Sequence, residues 1–101
     1  MFNFTEDILS ELTPQHIEKL KKDHLTPKLL KLFEDTQVLD FCDAYFKNNL
    51  NAVVTAKKMF MHRNTLNYRL GKIKKQTGLD LKKFEDAFVF KILLNIYSNR
   101  V

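Results

Sequence analysis

The chain has 101 residues, with 17 Lys and Arg against 12 Asp and Glu, 45% hydrophobic residues, and only two Gly and two Pro. That is the length of one domain with material for one modest core, and too little Gly and Pro for a flexible linker, a collagen-like repeat or a loop-rich sheet protein. No apolar run approaches the ~18 residues that a membrane span needs, so no membrane partner is expected.

The punctuation along the chain is that of helices. The opening Met1-Phe2-Asn3-Phe4-Thr5-Glu6-Asp7 has no basic stretch and turns acidic at once, so no signal peptide is expected. Thr5, with Glu6 and Asp7 in the first turn, predicts an N-capped short helix to about Leu12. Thr13-Pro14 and Thr26-Pro27 each set a capping hydroxyl before a proline at the first helical position. Helices are therefore expected from Pro14 to near His24, through Ile17 and Leu20, and from Pro27 to near Glu34, through Leu29, Leu30, Leu32 and Phe33.

Asp35 or Thr36 then caps a longer helix in which Val38, Leu39, Phe41, Cys42, Tyr45 and Phe46 recur at three- and four-residue steps, ending in Asn48-Asn49. Cys42 falls on the apolar stripe and has no second cysteine to pair with, which fits a buried thiol in a reducing cytoplasm better than a redox role. Asn51 is a good N-cap for the next helix, to about Met59, in which Ala56 is small enough for another helix to cross closely.

Met59-Phe60-Met61-His62 interrupts the pattern without Gly or Pro. A further helix is expected from Arg63 to Thr77, ended by Gly78. Within it Leu66, Leu70, Ile73 and Thr77 share one narrow face, while Asn64, Tyr68, Lys72 and Lys75 fall opposite. A helix, a short turn and a second helix with one apolar and one basic, hydrogen-bonding face is what a helix-turn-helix requires. The last helix, Phe84 to Tyr97, is apolar almost all round. No alternating run bounded by turns occurs, so the fold class is all-α: a multi-helix bundle with a helix-turn-helix inside it. The expected division is one domain over 1–101, with leucine-rich helices in 1–36, the helix-turn-helix core in 37–80 and the apolar helix in 84–98.

Charge follows the same division. Between Ala44 and Leu79 there is no Asp or Glu, while eight Lys and Arg occur there. A basic segment on a mildly acidic body is the footprint of a polyanion partner, although a solvated helix face would also be basic.

At Asn51 to Asp80 the chain resembles a family. The string His62-Arg63-Asn64-Thr65-Leu66 with Tyr68-Arg69-Leu70 and Thr77-Gly78-Leu79-Asp80 is similar to the C-terminal helix-turn-helix domain of the bacterial PucR and carbohydrate diacid regulators. It is more distantly similar to the DNA-binding end of the nucleoid protein Fis. The likeness runs roughly from Leu25 to Tyr97. It implies a domain that binds duplex DNA, usually behind an N-terminal sensor region. The sequence departs from the family pattern in three ways: no sensor region precedes the motif within these residues, so a fragment and a small stand-alone member are both expected readings; Ala52-Val53-Val54 stands where a Ser is more usual; and Gly71 occupies the middle of the recognition helix.

The expected roles follow from reach and chemistry. Arg63 can donate two hydrogen bonds to O6 and N7 of guanine, and Asn64 or Asn67 can pair with N6 and N7 of adenine. The likeness to Fis makes Arg63 the first base-contact candidate. His62 and Thr65 sit where a helix N-terminus meets phosphate. Tyr68, Arg69, Lys72 and Lys75 read as contacts to the DNA backbone. Two alternatives stay open: Tyr68 could pack on the preceding helix, and Arg69 could serve an internal salt bridge.

Other chemistry is thin. His16, His24 and His62 are not spaced as metal ligands, no carboxylate pair is set for acid and base work, and there is no Gly-rich phosphate loop. No enzyme activity, cofactor, metal or small-molecule ligand is expected. An apolar helix over 84–98 argues for a homodimer through Phe88, Ile92, Leu93 and Ile96, or through the leucine-rich helices; the alternative is a helix sunk among the others. Double-stranded DNA is the expected partner, for a transcription regulator or its DNA-binding domain. An acidic protein partner and a weakly selective architectural DNA binder are the other readings.

Overall fold

A computed structural model describes residues 11–99, and the helix expected from Thr5 lies outside these residues except for its last two positions. The described residues form α1 (Pro14–His24), α2 (Pro27–Glu34), α3 (Thr36–Lys47), α4 (Ala52–Lys58), α5 (Arg63–Thr77) and α6 (Phe84–Asn99), with no strand among them. The all-α reading is correct.

Side chains fix where each helix begins. The Thr13 hydroxyl accepts the His16 N–H at 3.2 Å, and the Thr26 hydroxyl accepts that of Leu29 at 3.2 Å, each with proline in the first turn. Of Asp35 and Thr36, Asp35 is the cap of α3: its carboxylate accepts the N–H groups of Gln37 and Val38 at 2.9 and 3.4 Å. A carboxylate there satisfies two otherwise unpaired donors and faces the positive end of the helix dipole.

Helix α3 closes with the Asn49 N–H donating to the Phe46 carbonyl and the Leu50 N–H to that of Tyr45, while Asn49 and Leu50 hold φ of 57° and 63°. This is the Schellman arrangement, with Asn in the left-handed position in place of Gly. The turn drops Leu50 against the core and aims the chain into α4.

The core draws on five of the six helices. Leu29 and Phe33 of α2, Phe41, Cys42 and Tyr45 of α3, Ala56 of α4, Leu66, Leu70 and Ile73 of α5, and Ala87, Phe90 and Leu93 of α6 are all buried. Aromatic rings join the layers: Phe33 meets Phe90 edge-on with centroids 5.4 Å apart, and Phe46 lies 6.2 Å from the same ring. Edge contacts suit the ring quadrupole. Helix α1 packs against α6 and contributes no fully buried residue.

Helix α6 overturns the premise of the dimer argument. Ile92, Leu93 and Ile96 are buried within the single chain, Leu93 completely. This apolar helix finds partners on several sides, since α1 packs against it, Phe33 of α2 meets Phe90 and Tyr97, and Phe46 of α3 meets Phe90. Only Phe84, 71% exposed, and Phe88, 37% exposed, present large apolar surface on this helix.

Candidate nucleic-acid interface

Helices α4 and α5 pack against each other, and the contact is made by small or apolar side chains. Asn51 caps α4, its side-chain oxygen accepting the Val54 N–H at 3.0 Å. Thr55 and Ala56 are buried at the crossing, and the Thr55 hydroxyl donates to the Asn51 carbonyl at 2.7 Å, so no buried polar group there is unpaired. Short side chains at this point let the two axes approach.

The turn is a second Schellman closure. Phe60 N–H donates to the Lys57 carbonyl at 3.2 Å and Met61 N–H to that of Ala56 at 2.9 Å, with Phe60 at φ 54°. A phenylalanine thus occupies a left-handed position usually given to glycine, and its ring is 97% exposed. The chain leaves this turn into His62, whose Nδ1 accepts the Asn64 N–H at 3.0 Å and so caps α5. Since Nδ1 accepts, Nε2 carries the ring proton and is the atom able to donate outward.

Leu66, Leu70 and Ile73 anchor α5 in the core. Its other faces carry the expected residues: His62, Arg63, Asn64, Thr65, Tyr68, Lys72 and Lys75 are exposed, and Asn67 and Arg69 half-buried. Tyr68 is 71% exposed, which removes the alternative that its ring packs on α4. Among the described residues the ion pairs are Glu18–Lys21, Asp43–Lys47 and Lys74–Asp80, so none of them engages Arg63, Arg69, Lys72 or Lys75. The internal salt bridge considered for Arg69 does not form with any described residue. A surface that keeps these cations unneutralised and intersperses amides and a phenol is suited to a polyanion with hydrogen-bonding edges.

Gly78 ends α5 in the left-handed conformation, φ 80°, and its N–H donates to the Lys74 carbonyl at 2.8 Å. Beyond it, Asp80 holds the loop: it accepts the Lys82 N–H at 3.0 Å, and its own N–H donates to Asp86 at 2.9 Å. Gly71, by contrast, is exposed, and an added Cβ would meet nothing within 4 Å. Packing does not require glycine there. On the helix wheel it shares the outer face with Asn64, Tyr68 and Lys75.

Beside α5 runs a groove of about 810 Å³, with Thr65, Tyr68, Arg69 and Lys72 on one wall and residues of α2 and α3 on the other. Lys28 and Lys31 of α2 line it, and sequence reasoning alone misses both. Their signal is a basic pair at i and i+3 on one face of α2, legible as a stripe but not as a neighbour of α5.

Burial pushes the Cys42 thiol up to about 12, as expected of an inert core cysteine. Among the described residues no group of three or more His, Cys, Asp and Glu side chains is placed to hold a metal, and no helix is long and apolar enough to cross a membrane.

Residues 38–96 match the family model described as the PucR C-terminal helix-turn-helix domain. The chain belongs to this family. The match takes in α3 to α6, so the helix before the turn motif and the apolar helix after it are both part of the shared unit.

Among relatives, the carbohydrate diacid regulator of Escherichia coli (strain K12) is 42% identical over 57 residues, 56% of this chain and 15% of that protein. The proline-responsive transcriptional activator PutR of Bacillus subtilis (strain 168) is 31% identical over 84 residues, 83% of this chain and 20% of its own length. The purine catabolism regulatory protein of the same organism is 28% identical over 90 residues, 89% of this chain and 17% of its own. The chain thus spans a fifth or less of the length of these three. No solved structure matches it.

Proposed function

We propose that this chain binds duplex DNA by placing α5 in the major groove, as a transcription regulator or the DNA-binding part of one. The observation that carries the reading is the solvent side of α5, where exposed Arg63 and Asn64 and half-buried Asn67 stand near the start of the helix, ahead of Arg69, Lys72 and Lys75, which no described carboxylate neutralises. The first two turns of a recognition helix reach deepest, so those three residues read base edges, Arg63 taking guanine and the asparagines adenine. His62 through Nε2, and Thr65 through its hydroxyl, hold a phosphate at the helix N-terminus. Tyr68, Arg69, Lys72 and Lys75 contact the backbone, set register and supply the salt-dependent part of the affinity.

The printed names of the relatives, regulators and an activator, support the regulatory part of the reading. In this account the chain is not an enzyme, takes no cofactor or small-molecule ligand through the described residues, and works in the cytoplasm. Two copies act together on a site with two-fold symmetry, their α5 helices about 34 Å apart in successive major grooves. Exposed Phe84 and Phe88, with Ile92, Leu93 and Ile96 withdrawn into the core, favour contact through the start of α6.

The test is Arg63→Ala, assayed on a selected binding site and on unrelated duplexes. A specific reader loses about 1–3 kcal/mol on its own site and relaxes at one base position. Equal weakening on every sequence marks an architectural binder, and retention of an acidic protein partner with no DNA binding by the parent chain marks an interaction module.

A further inference from the structure

One wall of the groove flanking α5 is built from a part of the chain that the family match does not reach. Lys28 and Lys31 lie in α2, outside residues 38–96, yet α2 packs against α5 and brings both lysines to the far wall of the groove that Tyr68, Arg69 and Lys72 line. Four cations therefore face one concave surface. The single carboxylate among its lining residues, Asp35, is engaged with the N–H groups of Gln37 and Val38 at the start of α3. None of Lys28, Lys31, Arg69 and Lys72 takes part in an ion pair among the described residues.

A helix lying in the major groove has a sugar-phosphate ridge on each side of it, because the groove is only about 12 Å wide. A concave basic channel alongside that helix has the shape and charge to receive one of the two ridges. We infer that the groove between α2 and α5 seats the phosphate backbone of one DNA strand, with Lys28 and Lys31 contacting phosphates from the side opposite Tyr68, Arg69 and Lys72. This rests on the reading that α5 enters the major groove. It extends the DNA-binding surface into the segment before the shared domain. It also gives α2 a role in affinity besides its role in the core through Leu29 and Phe33. Lys28 and Lys31 point out from the same face of a helix whose opposite side is anchored, so the pair is held in register with α5.

The experiment compares the parent chain with Lys28→Ala/Lys31→Ala and with Lys19→Ala/Lys22→Ala, a pair of equal charge and spacing on α1, which packs against α6. All four lysines are exposed, and unchanged thermal unfolding confirms that both variants are folded. Affinity for a mixed-sequence duplex is followed by fluorescence anisotropy from about 50 to 200 mM salt. Leaving two phosphates without their lysines lowers the slope of log K against log salt by about 1.8 and the affinity near 0.1 M by roughly one to two orders of magnitude. The inference expects that change for the α2 pair, equal on all sequences, and little change for the α1 pair. Equal small effects of the two pairs overturn it, as does an unaltered slope in the α2 variant while Lys72→Ala still weakens binding; both leave the major-groove reading standing. Failure of the folded parent chain to bind any duplex overturns both.

Discussion

Tyr45 of α3 donates its hydroxyl hydrogen to the carbonyl of Leu81 at 3.1 Å, and both residues are buried. The bond ties the segment leaving α5 to the helix ahead of the turn motif, so the two ends of the DNA-facing unit are held by one side chain. Tyr45→Phe leaves the ring packing intact and strands the Leu81 carbonyl. We expect a loss of about 1–2 kcal/mol in urea unfolding, with the slope of the transition unchanged.

Two buried acids make stability fall at alkaline pH. Burial raises Cys42 from 9.0 to about 12, and burial followed by the negative charge of Asp80 raises Tyr45 above 10.0. A folded-state pKa above the unfolded value gives stability that is complete below the unfolded pKa and lost as pH climbs toward the folded one. Unfolding free energy should therefore decline from about pH 9 as the unfolded thiol ionises, and more steeply once tyrosine joins it. Cys42→Ala costs stability at pH 7 by opening a small cavity, but removes the first part of the alkaline decline, which a set of denaturation curves between about pH 7 and 10 measures directly.

The left-handed position at the turn gives a prediction of opposite sign to most substitutions. Phe60 holds φ 54° with its ring almost wholly in solvent, so the side chain contributes little packing in return for its strain. Phe60→Gly should raise stability by about 0.5–1 kcal/mol, the relief of left-handed strain being partly offset by the greater freedom of glycine in the unfolded chain. Gly78→Ala, at φ 80°, should lower it by about 1 kcal/mol. Thermal unfolding of the pair tests both signs.

Gly71 behaves differently because its backbone is helical and its surroundings are open. Gly71→Ala should stabilise α5 by about 0.5–1 kcal/mol, several degrees in Tm for a chain of this size. An unchanged or lower Tm would show that the glycine meets a constraint absent from the packing around it.

These contrasts show what local sequence carries and what it does not. The starts of α1 to α5 were legible because Thr13, Thr26, Asp35, Asn51 and His62 each cap through their own side chains, a local interaction. Gly78 marked the end of α5 for the same reason. The end of α4 near Met59 was legible from the interrupted pattern, but its left-handed closure at Phe60 was not, since that residue is not a glycine and the backbone bonds that hold it leave no compositional trace. For Ile92, Leu93 and Ile96 the sequence left open whether a second copy or the chain's own helices cover them, because an apolar helix states its need for cover without saying who provides it. The candidate site was legible along α5, where residue spacing alone defines a face. The approach of Lys28 and Lys31 to Tyr68 was not, because it depends on how α2 packs across the bundle.

Binding of the purified chain to a labelled mixed-sequence duplex at about 50 and 200 mM salt, followed by fluorescence anisotropy with its mass in solution determined alongside, decides whether α5 and the cations around it meet DNA. With about three phosphates neutralised per chain by Arg69, Lys72 and Lys75, and about two more by Lys28 and Lys31, affinity should fall by roughly two to three orders of magnitude across that range. A folded chain that does not bind at the lower salt, or whose binding is indifferent to salt, would contradict the account.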